Sequence, residues 1–413
     1  MNRMILAALV AAFALAAPGL ARADTVTEWN LNASMALAAQ PPQQSVPHLA
    51  MVHGAVYDAV NAIDGGYDGY LLTNRVGSPF DSKEAAAATA AYRVLLSLPG
   101  AQKPVLDAQY AASLAGIADG VPKTRGIAVG EAAAAAMIAA RTADGRFGPA
   151  GFPLDPPGPG VWEPVLPGFV NDPNAWLRNV KPFLLESSSQ FRSAGPDPLT
   201  SNRYARDFNE VKAYGSAAAD SPRSADQTHM ARYWAENPPG TWSRVFRTLS
   251  AQQGLSLAEN ARLYAMLYTS GADALITVWD DKAHYMFWRP ITAIRRADTD
   301  GNPLTEKDEA WLPLIPTPPY PDHPSGHAGL SGSFVATLQD FFGTDRIGWT
   351  DTNNGGLTRS FTRFSQAIDE VVDARVWSGI HFRNTDEQGA RIGRQVAGWR
   401  ERHYFKAVHG RND

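Results

Sequence analysis

With 413 residues, 45% of them hydrophobic and 11 Trp, 13 Tyr and 17 Phe among them, the chain is too aromatic for a disordered protein and long enough for two packed units. A formal net charge of −4 and the lack of any Lys/Arg-rich run exclude a polyanion-binding footprint, so nucleic acid is not an expected partner and any anion must be held locally. The absence of cysteine removes disulfides and thiolate metal sites, leaving core packing to supply stability.

The chain opens with Arg3, an apolar stretch from Met4 to Ala17 and the small-residue sequence Ala21-Arg22-Ala23. This pattern predicts a secretory signal over 1–23, cleaved near Ala23, and a periplasmic or secreted protein. The apolar stretch is shorter than the ~20 residues that span a bilayer, and no later segment looks transmembrane, so no integral span is expected.

Leu49, Val52, Val56 and Val60 share one helical face and predict a helix over 48–63. Ala-, Leu- and Val-rich stretches predict further helices over about 83–98, 101–115 and 123–143. Residues 144–199 turn to Pro and Gly and predict an irregular excursion closing an N-terminal helical domain, 24–200. The C-terminal bundle, 201–413, begins its helices at 225–236. A longer helix follows from Ser256, where Glu259 completes a capping box, to about 278. Six prolines between 310 and 324 exclude helix and central strand and predict a stiff loop. Helices then follow over 328–342, stopping at Gly343, over 365–377, and over 384–404, where Asn384 and Glu387 stand at capping spacing. With few alternating runs, the fold class is all-α: two packed helical bundles with the site in the C-terminal one.

Three clusters carry chemistry. Lys282 and Arg289, seven apart, would project from one face if a single helix carried both. Pro324-Ser325-Gly326-His327 stands where the stiff loop meets a helix, whose first amides lack internal partners and suit an anion. Arg375 and His381, six apart, offer a forked guanidinium and an imidazole lone pair. Together they make an inventory for a tetrahedral oxyanion: three cations, a hydroxyl, a flexible amide and two histidines.

These residues resemble the vanadium-dependent haloperoxidases and their relatives, the type 2 phosphatidic acid phosphatases and bacterial acid phosphatases, most closely the chloroperoxidase-like bacterial haloperoxidases. The resemblance covers about 226–386. It implies that Lys282, Arg289, Ser325, Gly326 and Arg375 hold the oxyanion. It also implies that His381 is the vanadate ligand, hence the metal-site residue, and that His327 is the acid/base. Lys282, His327 and His381 would be catalytic. The usual Ser before the second Arg is replaced here by Ala374, which removes no proposed ligand.

Phosphate and vanadate are alike in shape and charge, so the cage suits a phosphatase working through phospho-His381 as well as a peroxidase. Trp279 and Tyr320 match the aromatic residues of the halide pocket and favour the peroxidase, with vanadate as cofactor and H2O2, halide and an organic acceptor as substrates. Tyr in place of Phe leaves halide preference open. Glu236 matches the acidic residue that pairs with the second Arg. A non-catalytic oxyanion binder is the third reading, separated from both by having no use for His327. A homo-oligomer is compatible with the sequence.

Overall fold

The computed structural model describes residues 24–74 and 76–408; the segment expected to be an export signal lies outside the described residues. Its elements are helices α1 (Thr25–Ala36), α2 (Pro42–Asp64), α3 (Lys83–Ser97), α4 (Lys103–Ala115), α5 (Val121–Ala140), α6 (Asn202–Tyr214), α7 (Ala225–Tyr233), α8 (Pro238–Gln253), α9 (Leu257–Tyr285), α10 (Pro290–Arg295) and α11 (Gly326–Phe342). An antiparallel hairpin, β1 (Trp349–Thr352) and β2 (Thr358–Phe361), precedes α12 (Phe364–Trp377) and α13 (Arg383–His403).

The helix α9 is the axis. It opens with the Ser256/Glu259 capping box, and its 29 residues are buried around most of its circumference. α2 packs along one flank, and α11 and α13 along the other. α9 runs past the expected end at 278 because no proline or glycine stands between Val278 and Met286; Met286, with φ 45°, ends it.

Between 144 and 199 the chain forms a single 3₁₀ turn, Ala175–Asn179, and otherwise lies irregularly over α9. Its backbone is satisfied by carboxylates of that helix. Asp273 accepts from the amides of Phe183, Leu184 and Leu185 at 2.6–2.9 Å, and Asp281 from that of Ser193 at 2.7 Å. This is how an irregular segment can be buried without losing its hydrogen bonds. The main hydrophobic core runs continuously from Val26 to Phe405 and includes residues on both sides of this segment.

α11 and α13 cross closely. A Cβ on Gly393 would stand 2.2 Å from the Gly329 carbonyl oxygen and 2.4 Å from the Ser333 amide nitrogen, so only glycine permits the contact. That contact fixes the first two turns of α11 against the middle of α13, and so sets the spacing of the helices whose beginnings carry His327 and follow His381.

Helices α1, α6, α8 and α10 and the hairpin are elements not expected from the sequence. α13 begins one residue before Asn384 and lacks the expected side-chain cap: Phe382 is its N-cap, and the Asn384 amide donates to Asp207 at 2.8 Å.

Candidate active site

Four separate stretches bring the expected residues together. Lys282 lies in the last turn of α9 and Arg289 is the N-cap of α10, so the two cations sit on different helices and not on one. The break at Met286 turns Arg289 back toward the same loop. Lys282 Nζ donates to the carbonyls of Pro321 and Asp322 at 2.6 and 2.9 Å. Arg289 Nε donates to that of Tyr320 at 2.8 Å and its Nη1 to that of Ile380 at 2.7 Å. The proline-rich loop, poor in amides but not in carbonyls, is thus pinned by cations.

Ser325 caps α11, accepting from the Ala328 amide at 3.3 Å. Gly326 follows because Trp279 presses against it: a Cβ there would meet Trp279 Cζ3 at 2.7 Å. Arg375, near the end of α12, donates from Nη1 to the Trp234 carbonyl at 3.1 Å. His381 stands in the short link to α13, with Arg289 Nη1 alongside its ring at 3.3–3.4 Å.

A cavity of about 280 Å³ opens at this point, lined among others by Trp279, Tyr320, Gly326, His327, Arg375 and His381. Lys282, Arg289 and Ser325 are fully buried behind that lining. The Tyr320 ring packs against both cations, its centre 5.0 Å from Lys282 Nζ and 4.9 Å from Arg289 Cζ. Trp279 and Tyr320 form one wall, with ring centres 5.0 Å apart; the Trp279 indole nitrogen donates to Asp172 at 3.0 Å.

Burial, reinforced by Arg289, holds the Lys282 pKa well below the ordinary lysine value. Burial, followed by Arg289, Lys282 and Arg375, does the same to His381, and burial followed by Arg375 to His327. Both imidazoles are therefore neutral near pH 7. Concentrated positive charge depresses its own members.

The expected partner of Glu236 needs correction. Glu236 lines the cavity but pairs with Arg244, at 2.5 and 3.1 Å, and with Thr241 at 2.5 Å; it makes no bond to Arg375. Arg244, in the second turn of α8, reaches back to Glu236 just before that helix, which settles the competition. His323 is fully buried and shares a 3.0 Å hydrogen bond with Ser193. Asp386 is buried in the first turns of α13, and that burial holds its carboxyl well above the usual range.

The residue that faces His381 is Asp322. Its Oδ1 lies 2.7 Å from His381 Nδ1, while Thr385 donates to Oδ2 at 2.5 Å. Burial pushes the Asp322 pKa up to about 6, against the opposing pull of Arg289. With Nδ1 carrying its hydrogen toward Asp322, the neutral ring has its lone pair on Nε2. The sequence placed Asp322 near the motifs but gave no sign of the contact.

Some nitrogens are left over. Arg289 Nη2, Arg375 Nε and His327 Nε2 are buried with no hydrogen-bond partner in the protein. Buried orphan donors are expensive unless a ligand supplies acceptors. Among the described residues, no group of three or more His, Asp or Glu side chains gathers to hold a bare cation. The donor set fits an oxyanion.

Residues 262–410 match the family model of the VCPO second helical-bundle domain. The matched stretch runs from α9 to the end of the described residues and so takes in most of the C-terminal bundle. All the expected oxyanion-binding residues, both histidines and Asp322 fall within that match. Vanadium chloroperoxidase from Curvularia inaequalis is 30% identical over 241 residues, which are 48% of this chain and 39% of that protein. The match thus spans well under two thirds of the relative's length. Two solved structures resemble the whole fold. A bacterial vanadium-dependent iodoperoxidase superposes with a TM-score of 0.79 at 22% identity, covering 94% of this chain and 97% of the other. An apo-type bacterial vanadium-dependent chloroperoxidase gives 0.72 at 18% identity, covering 87% and 93%. Both likenesses extend the shared architecture beyond the matched stretch to α1–α8.

Proposed function

We propose that the chain is a vanadium-dependent haloperoxidase, oxidising halide with H2O2 to a hypohalous acid. The observation that carries this is the set of buried nitrogens without a protein partner, the donors Arg289 Nη2 and Arg375 Nε and the imidazole nitrogen His327 Nε2, beside a cavity that also receives His381. Halide, H2O2 and one proton give hypohalous acid and water, so the residues must hold an oxyanion, manage a proton and admit a halide.

Vanadate, when bound, supplies an electrophilic centre that activates H2O2 toward halide without changing its own oxidation state. Arg289, Arg375, Lys282, Ser325 and the Gly326 amide would hold its oxygens, and His381 Nε2 would be its protein ligand. Asp322 keeps that lone pair directed by fixing the hydrogen on Nδ1. His327, neutral and unpartnered at Nε2, is suited to accept a proton from H2O2 and to return it to the departing oxygen. Trp279 and Tyr320 would form the halide wall. Export to the periplasm or beyond, after removal of the N-terminal segment near Ala23, completes the proposal.

Purified protein incubated with vanadate should brominate a phenol dye with H2O2 and bromide, and His381→Ala should abolish this. Hydrolysis of an aryl phosphate, inhibited by vanadate and unaccompanied by halogenation, would replace the proposal with a phosphohistidine phosphatase using the same residues.

A further inference from the structure

A second cavity, again of about 280 Å³, lies beside the first and shares Glu236 and Asn237 with it. These two residues form the partition, which Asn237 Nδ2 ties to the α1–α2 loop by donating to the Gln40 carbonyl at 3.3 Å. The walls are apolar side chains of α1, α2 and α8, notably Leu31, Met35, Leu49 and Pro239. Leu31 and Met35 are 43% and 64% exposed and stand on one side of the opening, two large apolar side chains beside each other on α1.

The charges are arranged unequally. Arg244 is neutralised by Glu236 and Asp351. Arg247 also lines the cavity and donates from Nη1 to Asn30 Oδ1 at 2.6 Å, yet among the described residues no carboxylate lies within ion-pair distance of it. An apolar chamber with one uncompensated guanidinium suits a molecule with a flat apolar body and one anionic group. The volume suits one aromatic ring and a short chain.

We propose that this cavity binds the organic acceptor, an aromatic carboxylate, with its ring among Leu31, Met35, Leu49 and Pro239 and its carboxylate on Arg247. The inference rests on the haloperoxidase reading and adds to it a substrate class. Hypobromous acid formed in the first cavity would cross the Glu236–Asn237 partition. A ring C–H bond is replaced by C–Br, and the released proton leaves with the hydroxide of hypobromous acid as water.

Gly240 gives a clean test. A Cβ there would meet nothing nearer than Arg244 Nη1 at 3.9 Å, so Gly240→Leu extends into the cavity from a helix that tolerates leucine. The probes are 3-(4-hydroxyphenyl)propanoate and its neutral amide, which have the same brominatable ring. Wild-type protein should bind the carboxylate in a calorimetric titration. Arg247→Gln should raise the KM for its bromination about tenfold while changing that for the amide less than twofold. Gly240→Leu should lower kcat/KM for the carboxylate at least tenfold. Vanadate-dependent iodide oxidation, which needs no organic acceptor, should stay unchanged in both variants. Equal kcat/KM for acid and amide in the wild type, or carboxylate kinetics unaltered by either variant, would overturn the proposal in favour of halogenation in free solution. Absence of iodide oxidation in the wild type would defeat the haloperoxidase reading alone, and the titrations would then decide whether the cavity takes an aromatic carboxylate.

Discussion

His381 meets a carboxylate from the proline-rich loop, Asp322, although a nearer acidic residue in sequence, Asp386, was available. The 2.7 Å contact decides which ring nitrogen is bare, because the hydrogen on Nδ1 is held between two heavy atoms that cannot both be acceptors. Asp322→Asn keeps the shape and removes the charge, and its amide can present a donor to Nδ1 and reverse the tautomer. Vanadate affinity measured by equilibrium titration should fall ten- to a hundredfold. An unchanged affinity would show that Asp322 does not direct the ligand. The cage residues were legible because Ser325, Gly326 and His327 form one local word, and Lys282, Arg289 and Arg375 stand at characteristic distances from it. The partners of those residues were not. Glu236 goes to Arg244 and not to Arg375, and Asp322 to His381, because pairing across distant segments depends on where helices carry their side chains.

At the scale of elements, the cage depends on two helices held together by glycine. Gly393→Ala would press a methyl into the backbone of α11 at Gly329 and Ser333, groups that cannot swing aside. The helices must separate, at a cost of about 1–3 kcal/mol or more for overpacking. Because α11 carries Ser325 and His327 at its start and α13 follows His381, a lower melting temperature should be accompanied by weaker vanadate binding. Loss of stability with full affinity would mean that the crossing is only structural. Helix periodicity revealed α2, α3, α5 and α11 well because each shows one apolar face or an alanine-rich one. It missed the hairpin, whose four-residue strands leave little period to detect, and it missed α6 although Tyr204, Phe208 and Val211 line one face at helical spacing. It also stopped α9 early, since a helix buried on nearly all sides shows no amphipathic edge. The break at Met286 carries no breaker residue, and so Lys282 and Arg289 looked like neighbours on one helix.

Across the whole molecule, buried histidines and buried carboxylates pull stability in opposite directions with pH. Burial lowers the pKa of His48, His53 and His323 from 6.5 to about 3. A depressed pKa contributes stability that is present above 6.5 and lost as pH falls toward 3. Burial raises Asp207, Asp273 and Asp322 to about 6, and their contribution runs the other way: present below the ordinary carboxylate range and lost as pH rises through 6. His53 isolates the first effect, since it lies in the α2 core, stacked on Tyr268 with ring centres 4.8 Å apart, far in sequence from the cage residues. His53→Gln retains an acceptor for Asn30 but cannot be protonated. Its melting temperature should decline less steeply than that of the wild type between pH 6.5 and 4; parallel slopes would show that His53 is not held neutral.

The orphan donors behind the first cavity recognise shape and negative charge, not the identity of the central atom. Phosphate meets both requirements. A protein folded in a phosphate-rich medium would then carry a passenger in the cage, and its later chemistry would wait on exchange. Which reaction is seen depends as much on which tetrahedral anion the surroundings supply as on the residues that receive it.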